Sequence, residues 1–165
     1  MPNWCENDLV IKAKSKKDLD EIISFISNKK GDLDFNKIIP YPDEYAEKDK
    51  MADKMRKEGK KNIPSDGYNS GGYQWCITNW GTKWNACSDS EEVKPAIKGN
   101  VAMYGFSTAW SPPEPIIIAL GKKFPKANFS LKFYEGAMGF SGCLSMINGK
   151  IRTQSTYKYS GRRGG

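Results

Sequence analysis

The residue types that most often perform catalysis are scarce in this chain of 165 residues, which contains no histidine. The commonest general base near neutral pH is therefore absent, and with it the Ser-His-Asp and Cys-His arrangements. Asp89, Glu91 and Glu92 do form a carboxylate cluster, but its neighbours are serines, which is typical of a solvated turn. We expect no catalytic centre. A hydrolase that uses these three carboxylates is the remaining enzymatic alternative.

The four cysteines, Cys5, Cys76, Cys87 and Cys143, show no C-x-x-C spacing. Without such spacing or a histidine, a zinc site is not indicated, and the sequence predicts neither a metal nor another cofactor. We interpret the cysteines as small hydrophobic side chains of the core.

Positive charge is concentrated towards the C-terminus. The net charge is +7, yet residues 1–135 hold 21 basic and 19 acidic side chains, while residues 136–165 hold five basic and none acidic. The predicted partner-binding residues are Lys150, Arg152, Lys158, Arg162 and Arg163. Such a segment would attract a nucleic acid or an acidic protein surface. Alternatively, cations on an edge strand only discourage edge-to-edge aggregation.

A run of aromatic residues supplies a second candidate surface. Its members are Tyr68, Tyr73, Trp75, Trp80 and Trp84, together with the neighbouring Lys83. Exposed, these rings could stack on bases or anchor a protein partner. The plainer alternative is packing against the core, with Trp80 and Trp84 on one face of a helix because they are four residues apart.

The first half of the chain predicts a strand and a helix, followed by an insertion. Alternating apolar residues indicate a strand over 4–13, and Ser15 is a suitable N-cap for a helix that we expect to end at Gly31. Residues 41–74 are interpreted as a surface insertion that contains a polar helix over 44–58.

The second half predicts a strand at 101–110 and a helix whose cap is Ser111, with Glu114 returning a bond to the cap. A strand at 129–133 and a hairpin that turns at Asn148-Gly149 complete the pattern. This order predicts an α+β fold in a single domain, 1–165. We expect a ferredoxin-like antiparallel sheet with two helices on one face, the surface insertion, a C-terminal β-hairpin and a flexible basic tail at 160–165.

Several strings resemble one family. They are Pro2-Asn3-Trp4-Cys5-Glu6-Asn7, Phe35-Asn36-Lys37-Ile38-Ile39-Pro40, Asn79-Trp80-Gly81-Thr82-Lys83-Trp84-Asn85, Phe106-Ser107-Thr108-Ala109-Trp110-Ser111-Pro112-Pro113 and Tyr134-Glu135-Gly136. Together they resemble the YubB-like proteins of bacterial plasmids and phages, which have a ferredoxin-like domain. The resemblance implies a mobile-element origin and supports the fold, but it carries no catalytic residue over to this chain.

These observations lead to a functional hypothesis. We expect a non-enzymatic binding protein of a mobile genetic element that engages an anionic partner, nucleic acid or an acidic face of a host protein, through the C-terminal cations. One use of such binding would be inhibition of a host defence system that targets nucleic acid. The alternative is a protein interaction module that uses the aromatic run and the 44–58 helix. No apolar stretch approaches a membrane span and the N-terminus does not resemble a signal peptide, so we expect a cytoplasmic location in a bacterial host.

Overall fold

The computed structural model describes residues 3–88, 92–159 and 161. The strands are β1 (Trp4–Lys12), β2 (Ala96–Lys98), β3 (Val101–Ala109), β4 (Asn128–Glu135), β5 (Phe140–Ile147) and β6 (Lys150–Lys158). The helices are α1 (Lys16–Ile26), α2 (Phe35–Ile38), α3 (Asp43–Lys57), α4 (Tyr73–Trp80) and α5 (Glu114–Lys123), and a π-helical segment, Tyr68–Gly72, precedes α4.

The six strands form one antiparallel sheet in the order β2-β3-β1-β4-β5-β6. Within it, β4-β1-β3-β2 is the ferredoxin-like order, with α1 following β1 and α5 connecting β3 to β4. The hairpin β5-β6 extends the sheet beyond β4. The predicted α+β ferredoxin-like fold is confirmed.

Only one face of the sheet is covered. Along β1, Cys5, Leu9 and Ile11 are buried, whereas the alternate residues are exposed or half-buried. The buried side chains face α1 and α5, whose own apolar residues complete the core: Leu19, Ile22, Ile26, Ile116, Ile117 and Leu120. The opposite face, which we call the open face, is covered by no helix of the described residues.

Helix α1 begins as predicted, because the Ser15 hydroxyl accepts a hydrogen bond from the Asp18 amide at 3.1 Å. It ends earlier than predicted. Ser27 is already extended and pairs with Leu33 in an isolated bridge. Gly31, with φ of +87°, forms the turn between them instead of the helix stop.

Helix α5 does not have the predicted capping box. The residue before its first turn is Pro113, and no side chain caps it. The Ser111 hydroxyl instead donates to the carbonyl of Gly81 at 2.5 Å. This hydrogen bond connects the C-terminal end of α4 to the loop before α5.

The chain between α1 and β2 contains α2, α3, the π-helical segment and α4. Within residues 41–74, the Tyr41 hydroxyl donates to Asp49 of α3 at 3.2 Å, and Ala52 is fully buried. Arg56 pairs with Asp66 at 2.7 Å, joining the end of α3 to the loop before the π-helical segment.

The β5-β6 hairpin turns where predicted. Asn148 and Gly149 have φ of +51° and +74°, the pair of left-handed conformations that a two-residue type I′ turn needs. Strand β6 lies at the edge of the sheet. Its pairing with β5 is irregular between Ser145 and Met146, which leaves Arg152 without a partner opposite it.

Candidate functional site

The five cations predicted to bind a partner are not gathered in one place. Lys150 and Arg152 lie beside the hairpin turn, whereas Lys158 is at the opposite end of β6, roughly 25 Å away at the rise of a strand. Arg162 and Arg163, like the tail 160–165 except Gly161, lie outside the described residues. Register also separates them: Lys150 pairs with Ile147 on the open face, and Lys158 with Phe140 on the covered face.

Lys150 and Arg152 are joined by lysines from elsewhere in the chain. The register places Lys12, Val101, Asn128 and Ile147 at the same end of the sheet as Lys150, and the hairpin turn packs on α5, with Gly149 close to Pro125. We call the cations there the basic end: Lys12, Lys14, Lys98, Lys122, Lys123, Lys126, Lys150 and Arg152. All eight are exposed.

None of these eight side chains forms an ion pair with a carboxylate in residues 3–88, 92–159 or 161. On the first turns of α1, near Lys14, Asp18 accepts a hydrogen bond from the Ser15 hydroxyl and Asp20 is paired with Lys16. The cations at the basic end are therefore available to an anionic partner.

A surface cavity of about 280 Å³ opens at the basic end. Lys14, Lys123 and Lys126 line it together with Asp18 and Glu21 of α1. The Lys123 ammonium lies 4.4 Å from the ring centre of Phe25. That cation–π contact orients the Lys123 side chain without neutralising it.

The basic end is not evident from the sequence because its cations come from separate segments of the chain. Residues 1–135 are almost neutral as a whole, and only the fold separates their lysines from their acids. The one local signal was Lys122, Lys123 and Lys126 at the end of a predicted helix.

The aromatic run is mainly packed within the molecule. Trp80 is 2% exposed and its indole nitrogen donates to the Ile39 carbonyl at 2.8 Å. Tyr68 stacks on Tyr73, with ring centres 5.0 Å apart, and Trp75 meets Trp80 edge-on at 5.6 Å. Tyr68, Tyr73, Trp75 and Trp80 thus pack against one another or against the core.

Trp84 does not share a helical face with Trp80. Helix α4 ends at Trp80 because Gly81 adopts a left-handed conformation with φ of +80°. Trp84 lies beyond that turn and contacts Trp4 edge-on at 6.2 Å. The Lys83 ammonium lies 4.3 Å from the ring centre of Tyr73 and 5.4 Å from that of Trp84, and the centres of these two rings are 6.1 Å apart, so this cation contacts both rings of a packed pair.

The ionisation of the buried groups follows from their surroundings. Burial raises the pKa of Tyr68 to about 12, and it also raises the pKa of Tyr41, with Asp49 adding to the effect. Burial likewise raises the pKa of Cys5 and of Cys76 to about 12. Protonated, buried thiols are poor nucleophiles and poor metal ligands, as expected of core residues.

The other two cysteines, Cys87 and Cys143, are half-buried and free. Of the predicted carboxylate cluster, Asp89 and Glu91 lie outside the described residues, and Glu92 pairs with Lys94 at 2.9 Å. Among the described residues, no group of three or more Cys, Asp or Glu side chains is placed to hold a metal ion.

The open face carries its own set of side chains. Residues paired across neighbouring strands point to the same side, so the rows can be followed from the register. One row contains Glu6, Tyr134, Ser141 and Tyr157, and the row beside it contains Gly105, Asp8, Lys132, Cys143 and Ser155. A shallow cavity of about 190 Å³ lies between these two rows.

Residues 79–160 match the family model of the ferredoxin-like domain in Api92-like protein. The match starts at the Asn79-Trp80-Gly81 string and includes α5 and the strands β2 to β6. No curated protein matches.

The crystal structure of protein api92 from Yersinia pseudotuberculosis is similar over almost the whole chain. It has a TM-score of 0.62 and 10% sequence identity, and the alignment covers 98% of this chain and 100% of that one. At such low identity, the likeness shows the shared fold alone.

In the described part of this chain, no helix combines the length and the apolar character needed to cross a bilayer.

Proposed function

We propose that this protein is a non-enzymatic binding protein whose basic end engages nucleic acid. The observation that carries the proposal is the convergence of eight exposed cations, from four separate segments. None of them forms an ion pair with a carboxylate in the part of the chain that the structure describes. Folding such a surface has an electrostatic cost, because like charges are brought together. A polyanion would offset that cost.

Nucleic acid is favoured over an acidic protein by the chemistry of the surface. Seven of the eight cations are lysines, and lysine neutralises phosphate as a flexible point charge. Protein interfaces are instead depleted in lysine and take most of their energy from buried aromatic or arginine anchors. The aromatic run, which would supply such anchors, is largely engaged in contacts within the molecule.

The biological setting is a further part of the proposal. The resemblance to YubB-like plasmid and phage proteins supports a mobile-element origin and a location in the bacterial cytoplasm. A protein that covers nucleic acid there would be suited to block a host defence complex that acts on the same nucleic acid. This use rests on the resemblance alone.

Fluorescence anisotropy with labelled DNA and RNA of mixed sequence tests the proposal. At low salt we expect saturable binding, and the double variant Lys150→Glu/Arg152→Glu should weaken it at least about tenfold, because it removes two phosphate contacts and adds repulsion. The matched control is Lys50→Glu/Lys54→Glu, which changes the net charge equally at two exposed lysines of α3.

Equal loss in the two double variants would mean that net charge, not the basic end, drives binding. If neither DNA nor RNA binds at low salt, the nucleic-acid proposal is wrong. Co-purification of an acidic protein that is lost only from the Lys150→Glu/Arg152→Glu variant would then identify the basic end as a protein-binding surface.

A further inference from the structure

The open face of the sheet is a second surface, and it is continuous with the basic end. Lys12, Lys98 and Lys150 belong to both, because their register places them on the open face at the end where the basic end begins. Along β4, the row of Lys12 and Asn128 is separated from the row of Tyr134 by six residues, a distance of roughly 20 Å. A chain of a few nucleotides can span that length.

Three tyrosines lie at the far end of this path. Tyr134 is on β4, next to the centre of the sheet, and its ring stacks on Tyr159 with centres 5.5 Å apart and planes at 19°. Tyr157 is 55% exposed although it lies within a strand. Its hydroxyl is 3.9 Å from the Cys143 sulfur of the neighbouring strand, so the side chain leans across the sheet instead of extending into solvent. Its ring is thus presented to a ligand on the open face.

The cavity beside these rings has polar groups that suit the edge of a nucleobase. Asp8, Lys132 and Ser141 line it together with Tyr134, Cys143 and Tyr157. A carboxylate can accept a hydrogen bond from an exocyclic amine, while the lysine and serine can donate to ring or carbonyl acceptors. Lys132 is directly opposite Asp8 in the register of the sheet, yet it forms no ion pair with any carboxylate in the residues that the structure describes.

The area between the rings and the basic end has a low profile. This holds on β4, β5 and β6, where Ser130, Ser145 and Thr153 face this side of the sheet, whereas the exposed Met103 of β3 lies to one side of the path. Small side chains allow a nucleic-acid strand to lie close to the sheet, with its phosphates directed towards the lysines.

We infer that the open face binds single-stranded nucleic acid, with a base stacked on Tyr157 and the backbone leading to the basic end. The inference rests on the proposed function and specifies its ligand. A duplex fits this face poorly, because its bases are already stacked on one another and offer no free ring face to a tyrosine. The binding should therefore prefer single strands at equal phosphate concentration.

The test compares anisotropy titrations of the full chain with a labelled single-stranded oligothymidine and with a mixed-sequence duplex of the same length. Wild type should bind the single strand more tightly. Tyr157→Ala should weaken single-strand binding by about 5- to 100-fold, the range typical of losing one stacked base, and leave duplex binding almost unchanged. Tyr157→Phe keeps the ring and should bind like wild type.

Met51→Ala is the matched control, since Met51 is a similarly exposed apolar residue on α3, at 59% exposure. It should leave both affinities unchanged. Circular dichroism of each variant separates loss of binding from loss of folding.

Two failures are distinguishable. If single strand and duplex bind equally well, or if Tyr157→Ala binds the single strand like wild type, the open face is not the site, but the basic end remains a nucleic-acid surface. If wild type binds neither ligand at low salt, the proposed function and this inference are both overturned.

Discussion

At the scale of single residues, the clearest constraint lies where the π-helical segment approaches α3. Gly67 has an ordinary helical φ of −62°, so its backbone does not require glycine. Glycine is required because of the close approach of α3: a Cβ atom on Gly67 would clash with the backbone oxygen of Tyr45. The backbone oxygen cannot move away as a flexible side chain would, and the glycine is required for close packing.

We therefore expect Gly67→Ala to lower the free energy of unfolding by about 2–3 kcal/mol, as typical of overpacking. The control is Gly136→Ala, where an added Cβ would meet nothing within 4 Å and where we expect a change below about 0.5 kcal/mol. Urea denaturation followed by tryptophan fluorescence measures both. Similar stability of the two variants would show that α3 and the π-helical segment are not packed as described.

At the scale of elements, Asp66 joins the end of α3 to the loop before the π-helical segment. The amide of Asn69 donates to its carboxylate at 2.8 Å, and Arg56 pairs with it at 2.7 Å. These two groups lower the pKa of Asp66, the Asn69 amide contributing most. A carboxylate with a lowered pKa in the folded state stabilises the fold above its unfolded pKa, and this contribution is lost as the pH falls through the folded value.

Asp66→Asn should accordingly be less stable than wild type at pH 7, by about 1–2 kcal/mol. The difference should shrink as the pH is lowered from about 4 towards 2, since wild type then loses the same charge. Thermal unfolding at a series of pH values provides the measurement. Asp20→Asn, which breaks the exposed pair with Lys16, should have little effect at any pH, and a pH-independent deficit in Asp66→Asn would contradict the assigned role.

Elements were also the scale at which the sequence was most informative. Periodicity and turn residues identified β1, α1, α3 and the β5-β6 hairpin because those signals are local. The errors arose where a distant contact decides the outcome: Ser111 bonds to Gly81 across 30 positions of the chain instead of capping α5. A second error was local: the left-handed Gly81 ends α4 before Trp84, although four-residue spacing favoured a shared helical face.

At the scale of the whole molecule, the candidate site is a product of the fold. Only Lys150 and Arg152 of the basic end belonged to the predicted set. The register of the sheet and the packing of the hairpin turn on α5 bring the other six cations to them. Apart from the three lysines at the end of α5, no local pattern in the sequence indicates that convergence. The open face was not predicted from the sequence either, because it depends on which side of the sheet α1 and α5 cover.

The whole-molecule prediction concerns salt. If four to six cations contact phosphates, the logarithm of the affinity for duplex should fall with the logarithm of the salt concentration with a slope of about −4 to −5. Lys150→Glu/Arg152→Glu should reduce the magnitude of that slope by about two, one for each lost contact. Anisotropy titrations at salt concentrations from about 50 to about 300 mM provide the measurement. An unchanged slope would place the phosphate contacts elsewhere.

Strand β6 has a consequence for self-assembly. It is nine residues long and ends the sheet, and such a strand is a template on which a second copy could add by backbone pairing. In a two-fold antiparallel pairing centred on Gln154, Lys150 would oppose Lys158 of the other copy, and the unpaired Arg152 would interrupt the ladder. Like-charge repulsion and a distorted edge thus hinder fibre growth, and a bound polyanion that neutralised these cations would weaken that protection.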